Sequence, residues 1–444
     1  MANAVTVLGS QGKTITLNYD TSSNANLARQ LADQITAGIQ SLSIVPASDS
    51  TWPPPHLPLG KTGEYVQEYS GVTMLPKGYA AFVTTASTSV VYGSGDRNQS
   101  ILSGDTTDLT FIAASGSGTV AAGGGTDRLV IMPGDRGAWS LNTGNGNDVI
   151  LALGSGNDTI GAGAGQNAIS LGTGSNLVVS TGDDTIAAGS GSRDSDHDDD
   201  DRSGDDRSGD DRSGDDGHRR DGGPAGVDTI DATGARSDVV YGGSSDLLFV
   251  GGSGGATIFG GSGSDTYFGG TGGTQVIHGG TGGNNLLFAG SGAATLFGGG
   301  NGDQLFAFGA KNQTLIAGHG RETLSAAFGS GNDLLIAGSG NVSLIGGTGA
   351  DTFVGGSGHD TVFVTNPADS VFEFIRGQAG GTELVQNIFS ASDVRIHLSG
   401  YGVGEAANAL AHQHVHGGGV SISLSDGTRV TFETITHLTA SNFA

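Results

Sequence analysis

Between residues 227 and 364 an apolar residue recurs every nine or ten positions: Leu248, Ile258, Tyr267, Val276, Leu287, Leu296, Leu305, Leu315, Leu324, Leu335, Leu344, Phe353 and Val362. Each lies in a three-residue stretch, and the residues between stretches are mostly glycine, serine, threonine, asparagine and aspartate. Gly261-Ser262-Gly263-Ser264-Asp265-Thr266-Tyr267-Phe268-Gly269 is one unit; residues 329–337 and 347–355 are two more. A fixed short period sets the architecture. Each unit predicts a six-residue turn and a three-residue strand. Glycine serves where the turn needs positive φ or a close backbone approach. Strand alternation sends the central apolar residue inward and its neighbours outward. Stacked coils then form two parallel sheets over a thin core, with stability passed between nearest neighbours.

The rest of the chain is less regular. Residues 5–8 and Thr14–Tyr19 read as a hairpin. Ser22 or Ser23 can cap a helix over 24–41, with Leu27, Leu31, Ile35, Ile39 and Leu42 on one face. A loop, Trp52-Pro53-Pro54-Pro55-His56, and short strands near 64–67 and 79–84 follow. Residues 1–91 are therefore expected to form a small α+β domain. Residues 92–192 carry a degenerate repeat that sharpens at Gly144-Asn145-Gly146-Asn147-Asp148 and Gly154-Ser155-Gly156-Asn157-Asp158. Residues 193–226 break it with three copies of Asp-Asp-Arg-Ser-Gly after an acidic run. Such low-complexity charge cannot bury a core. It reads as a solvated loop extruded from the stack, or as a store for cations that acidic runs attract or a contact to a neighbour. The regular repeats fill 227–364, and 365–444 form a separate end domain. There, 420–428 alternate as a strand with an Asp426-Gly427 turn, ahead of 430–432.

Composition adds a metal. Glycine numbers 83 but is not every third residue, so collagen is excluded. The net charge of −25 is mostly aspartate, with seven glutamates and four lysines, which argues against much surface helix. Aspartates in glycine turns suit a hard cation, since calcium takes carboxylate and carbonyl oxygens. The acidic balance disfavours nucleic acid and anionic membranes as partners. The chain has no cysteine, so disulfides and thiolate metal sites are excluded. Residues after Met1 lack a basic and then apolar run, so no cleaved signal peptide is expected. No stretch of about 18 apolar residues is present to span a membrane. No His-Glu-x-x-His motif occurs. Gly251-Gly252-Ser253-Gly254-Gly255 fits a nucleophile elbow only in letters, because it sits inside a repeat. A non-enzyme is expected.

Over most of 144–192 and 227–364 the repeat resembles the glycine-rich nonapeptide of RTX proteins, whose fold is a calcium-binding parallel β-roll. The resemblance implies that two units make one coil. It implies calcium between successive turns, held by turn carbonyls and the sixth-position aspartate. The implied ligands are Asp148, Asp158, Asp184, Asp238, Asp246, Asp265, Asp303, Asp333, Asp351 and Asp360. Turn capping alone is the other reading of these aspartates. If units alternate edges, Asp246, Asp265, Asn285, Asp303 and Glu322 share one edge. Ala256, Thr274, Ala294 and Gln313 share the other, which regains acids only at Asp333 and Asp351. A lopsided roll is expected, richer in calcium along one edge. Residues 398–402 (Leu-Ser-Gly-Tyr-Gly) and Ser425-Asp426-Gly427-Thr428 resemble the end region of alphaproteobacterial RTX proteins. That resemblance implies a C-terminal β cap, an uncleaved signal for the type I secretion machinery, and folding by calcium outside the cell.

Ninth positions are bulky: Phe249, Phe268, Phe288 and Phe306 on one set of units, Phe259, Ile277, Phe297 and Ile316 on the other. They are expected to point outward as two ladders, either partly shielded or forming an association surface. The seventh positions are too mixed for a flat threonine row. His412, His414 and His416 would share one face of a strand and suit zinc or copper, or lie in a loop as polar residues. The expected protein is mainly β, a secreted structural protein that self-assembles as a surface layer, fibre or biofilm matrix. A calcium-dependent adhesin, with cell-surface polysaccharide as a partner, is the second reading. A non-catalytic part of an RTX exoenzyme is the third.

Overall fold

The computed structural model describes residues 3–50, 54–189, 226–366 and 370–443. The charged insertion expected at 193–226 lies outside these residues except for Gly226. Successive strands alternate between two parallel ladders that make a solenoid of about 16 turns, with two helices beside it. Sheet I starts at Ile44–Ser48 and continues through Thr62–Gln67, Tyr79–Thr84 and Gln99–Ser103 as far as Thr382–Gln386. Sheet II has 16 strands, from Gly71–Met74 to Ile396–Ser399. Leu287 lies opposite Tyr267 on one side and Leu305 on the other, so one coil spans two repeat units. Leu177–Ser180 pairs directly with Val227–Ala232, so the register carries across the insertion.

One apolar core runs from Ala47 to Leu438. Ile258, Tyr267, Leu287, Leu296, Leu305, Leu315, Leu324, Leu335 and Leu344 are fully buried, and Phe353 and Val362 nearly so. Two coils depart from the expected register. Phe249 and Ile277 point inward at 0% exposure, whereas Leu248 and Val276 face outward. In Leu247-Leu248-Phe249-Val250 both alternating sets are apolar, so period two leaves the face open. Burying Leu247 with Phe249 removes the larger ring from water.

The ladders also cross both boundaries drawn from sequence. Thr62–Gln67 and Tyr79–Thr84, expected within a separate 1–91 domain, are parallel rungs of sheet I. Their turns lack the glycine and aspartate signature, so the period does not reveal them. The element that stands apart is shorter: the hairpin Asn3–Leu8 with Thr14–Tyr19, and the helix Ser22–Gln40. It covers the outer face of sheet I through Val66, Ala81, Val83, Leu102 and Ala121. Thr21, rather than Ser22 or Ser23, caps the helix; its side chain accepts the Asn24 N–H at 3.2 Å. Leu42 lies past the helix end at φ 59° and is exposed, so the apolar face stops at Ile39. At the other end Thr382–Gln386 pairs with Arg429–Phe432. That strand is antiparallel to Gly419–Ser423, which pairs with His414–His416, and this hairpin closes sheet I.

Glycine in the turns is dictated mainly by contact. A Cβ on Gly282 would lie 1.8 Å from the Gly263 carbonyl oxygen one coil earlier, and one on Gly300 would lie 1.9 Å from that of Gly282. Gly282→Ala is expected to cost about 3 kcal/mol, the upper range of overpacking. Gly402, which has nothing within 4 Å, is the control, and Gly402→Ala should be near neutral in chemical denaturation.

Glu64 neighbours Ala81 on sheet I and is 0% exposed, with neither carboxyl oxygen hydrogen-bonded. Burial pushes its carboxyl up to about 8. The unfolded chain releases this proton near about pH 4.3. Between those values the folded state holds more protons, so stability falls as pH rises. Glu64→Gln should raise stability by about 1–3 kcal/mol at pH 8 and little at pH 5. An equal gain at both pH values in thermal unfolding would refute this account.

Candidate metal centre

The residue two ahead of each strand's inward position falls into one of two columns. On the forward edge, where the chain passes from sheet I to sheet II, the column reads Asp127, Asp148, Asn167, Asp184, Asp238, Ala256, Gln275, Ala294, Gln313, Asp333, Asp351. On the return edge it reads Asp158, Asn176, Asp228, Leu247, Asp265, Asn285, Asp303, Glu322, Val342, Asp360, Glu383. All of these are buried. Two expected members are displaced by one residue. Leu247 takes the place assigned to Asp246, and Gln275 that of Thr274. Asp246 sits half-buried beside the column and accepts the Ser264 N–H at 2.8 Å.

One oxygen of each column aspartate has the same task. Asp148 Oδ1 accepts the Asp127 N–H at 2.8 Å, from the column residue one coil earlier. Asp333 does so for Gln313, Asp351 for Asp333 and Asp360 for Val342, at 2.8, 2.9 and 2.8 Å. Asn167 and Asn285 make the same bond with an amide oxygen, at 2.9 and 2.8 Å. This bond therefore needs an acceptor and not a charge.

The second oxygen separates the candidates. In Asp148, Asp158, Asp238, Asp333 and Asp360, Oδ2 is buried without a partner. The same is true of one oxygen each in Asp127, Glu322 and Glu383. Asp184 Oδ2 instead accepts from Ser180, Asp265 Oδ2 from Tyr267, Asp303 Oδ2 from the Gly299 and Gly300 N–H groups, and Asp351 Oδ2 from Gly347. Burial raises Asp158, Asp238 and Asp333 to about 6, Glu322 to about 7 and Asp127 to about 8. Glu383 is raised well above its usual value by burial and then by Asp360 on the adjacent rung.

Asp127, Asp228 and Glu383 were not singled out from sequence. Gly123-Gly124-Gly125-Thr126-Asp127 carries the same glycine and aspartate spacing as residues 144–148 but lies in the stretch read as degenerate, and the insertion interrupts the turn before Asp228. Glu383 substitutes a longer acid, which reaches back to the Gly356 N–H at 3.1 Å.

Orphaned anionic oxygens beside stacked backbone turns fit a hard cation, because an unpaired buried charge is costly. Among the described residues no three acidic or imidazole side chains form a group able to hold a metal. A cation here must therefore take most of its oxygens from turn backbone. The three histidines form no such group. His412 Nδ1 lies 2.9 Å from the Asn408 carbonyl, and His414 and His416 are exposed on the outermost strand. Where the forward edge lacks acids, amides address the turn carbonyls. Gln275 Nε2 donates to the Gly254 and Gly272 oxygens at 2.8 and 3.0 Å, and Gln313 Nε2 to Gly290 and Gly292 at 3.0 Å each.

Residues 248–276, 279–307 and 329–362 match the family model of the RTX calcium-binding nonapeptide repeat (4 copies). These repeats support an RTX-type protein. Comparison with curated proteins and with solved structures gives no match. RTX nonapeptide repeats bind multiple calcium ions. RTX proteins are linked to type I secretion, and the repeats point to a secreted protein. Among the described residues no helix is long and apolar enough to cross a membrane.

Asp333→Asn keeps the acceptor for Gln313 and removes the charge. It is expected to stabilise the calcium-free protein by about 1 kcal/mol at pH 7.5 and to shrink the stabilisation by calcium. If wild type and Asp333→Asn gain equally from calcium in thermal unfolding, Asp333 is only a cap. The pH dependence has a defined sign. Unfolded aspartate loses its proton near about 3.9, and the folded groups above near 6. Calcium-free stability should thus fall as pH rises through that window. Calcium binds the ionised form, so its stabilisation should be larger at pH 7.5 than at pH 5.

Proposed function

We infer that this RTX protein is a secreted structural protein that folds on meeting extracellular calcium and then self-assembles, as a surface layer, fibre or biofilm matrix. Asp148, Asp158, Asp238, Asp333 and Asp360 are the strongest calcium ligands on this reading, joined by Asp127, Glu322 and Glu383, with Asp228, whose second oxygen accepts the Gly189 N–H, behind them. Asp184, Asp265, Asp303 and Asp351 contribute in the same columns, and Asp246 stands at their margin. Without calcium the buried carboxylates disfavour the stacked form, which keeps the chain loose before export.

The observation that carries the assembly reading is a pair of outward aromatic ribs. On sheet II, Tyr241, Phe259, His278 and Phe297 stack with ring centroids 5.3, 5.3 and 4.3 Å apart and planes within 12°. On sheet I, Phe268, Phe288 and Phe306 stack at 4.9 Å. Phe249 and Ile277, expected in these rows, are inside, and His278 fills the gap. Ring faces cover one another and the rims meet solvent, giving rigid apolar ridges suited to a second copy. Ile44–Ser48 and Gly71–Met74 are also end strands, each bonded on one side, and Val72 and Met74 are exposed. Open parallel edges favour end-to-end contact.

Electron microscopy with and without millimolar calcium tests the reading. Ordered polymers are expected only with calcium, alongside a gain in β circular dichroism. Phe259→Ser with Phe297→Ser should abolish them while keeping the calcium-dependent spectrum. Persistent monomers with calcium would favour the adhesin reading.

A further inference from the structure

A groove of about 680 Å³ separates the helix Ser22–Gln40 from the outer face of sheet I. Gln30 and Gln34 form its helical wall, and Ser100, Thr119, Ser140 and Thr159 line the opposite side. These four hydroxyl residues are register partners on consecutive rungs. At about 4.8 Å per rung they make a row of about 14 Å. No aspartate, glutamate, lysine or arginine lines the groove, in a chain of net charge −25. Among the described residues, the side chains of Gln30, Gln34, Ser100, Thr119 and Thr159 make no hydrogen bond. Every one of these groups both donates and accepts. Leu27 and Leu31 add an apolar strip.

The walls are fixed relative to each other. Asn24 Nδ2 donates to the Ala122 and Thr143 carbonyls at 3.0 and 2.6 Å, and the Tyr19 hydroxyl donates to the Ala121 carbonyl at 3.3 Å. The groove is thus pre-formed, which lowers the ordering cost of binding.

We propose that this groove binds a neutral oligosaccharide. Sugar hydroxyls match a lining that offers donors and acceptors together, and sugar rings have apolar faces for the leucine strip. An apolar ligand would cover these hydroxyls and amides and leave them unpaired, at a cost. An anionic ligand would meet no counter-charge and a repulsive overall field. The site does not depend on self-assembly.

Calorimetry of the calcium-loaded full chain decides the matter, using cellotetraose, the N-acetylglucosamine tetramer and a uronic-acid tetramer as probes. At least one neutral probe should bind with a dissociation constant below about 1 mM. The uronic-acid tetramer should bind at least ten-fold more weakly. Gln30→Ala with Gln34→Ala should weaken binding about ten-fold, and Thr119→Glu should abolish it, both with an unchanged β spectrum. The proposal is overturned if no neutral probe binds, if the acidic probe binds best, or if both variants bind as wild type does.

Discussion

Each turn of this solenoid rests on the turn before it at backbone contact, and that contact governs the rest. It admits no Cβ at positions such as Gly282. It also brings carbonyl oxygens together at each corner, and a carboxylate with them at many, out of water. Oxygen stacked on oxygen is unfavourable unless a positive group answers it. The solenoid is therefore as stable as its corners allow.

The chain answers this demand in three ways. At Asp148, Asp158, Asp238, Asp333 and Asp360 a buried oxygen is left for a cation. At Gln275 and Gln313 an amide N–H is offered to the turn carbonyls instead. At Leu247 and Val342 the column residue is apolar and the acid one coil on still accepts its N–H. On the proposed ligand assignment, calcium dependence is graded along the molecule. The forward edge between Ala256 and Gln313 is held by neutral groups and packing, whereas the flanking coils carry unpaired acids.

The outer surfaces are free of that demand and are used differently. Over the first coils a helix and hairpin cover sheet I and leave a polar groove. Further along, stacked rings make apolar ribs on both sheets. Among the described residues only the C-terminal end of sheet I is closed by an antiparallel hairpin, so the two ends of the solenoid are not equivalent.

The sequence by itself determined the coil. Glycine contact, the strand triplet and the recurring aspartate act within one or two units, so nearest-neighbour chemistry is written locally and repeats legibly. Between 246 and 351 it also placed most of the column residues on their edges, with Leu247 and Gln275 each one residue from the position read, because alternation follows from period alone. Tertiary structure decided what local pattern leaves degenerate. In Leu247-Leu248-Phe249 both faces are apolar, and only packing against Ile230 and Tyr267 on neighbouring rungs selects Phe249 for the core. Thr62–Gln67 becomes a rung because a ladder already exists beside it, not because its turns announce one. Which carboxylates keep an unanswered oxygen was likewise settled by partners such as Ser180 and Tyr267, brought to the corner by folding.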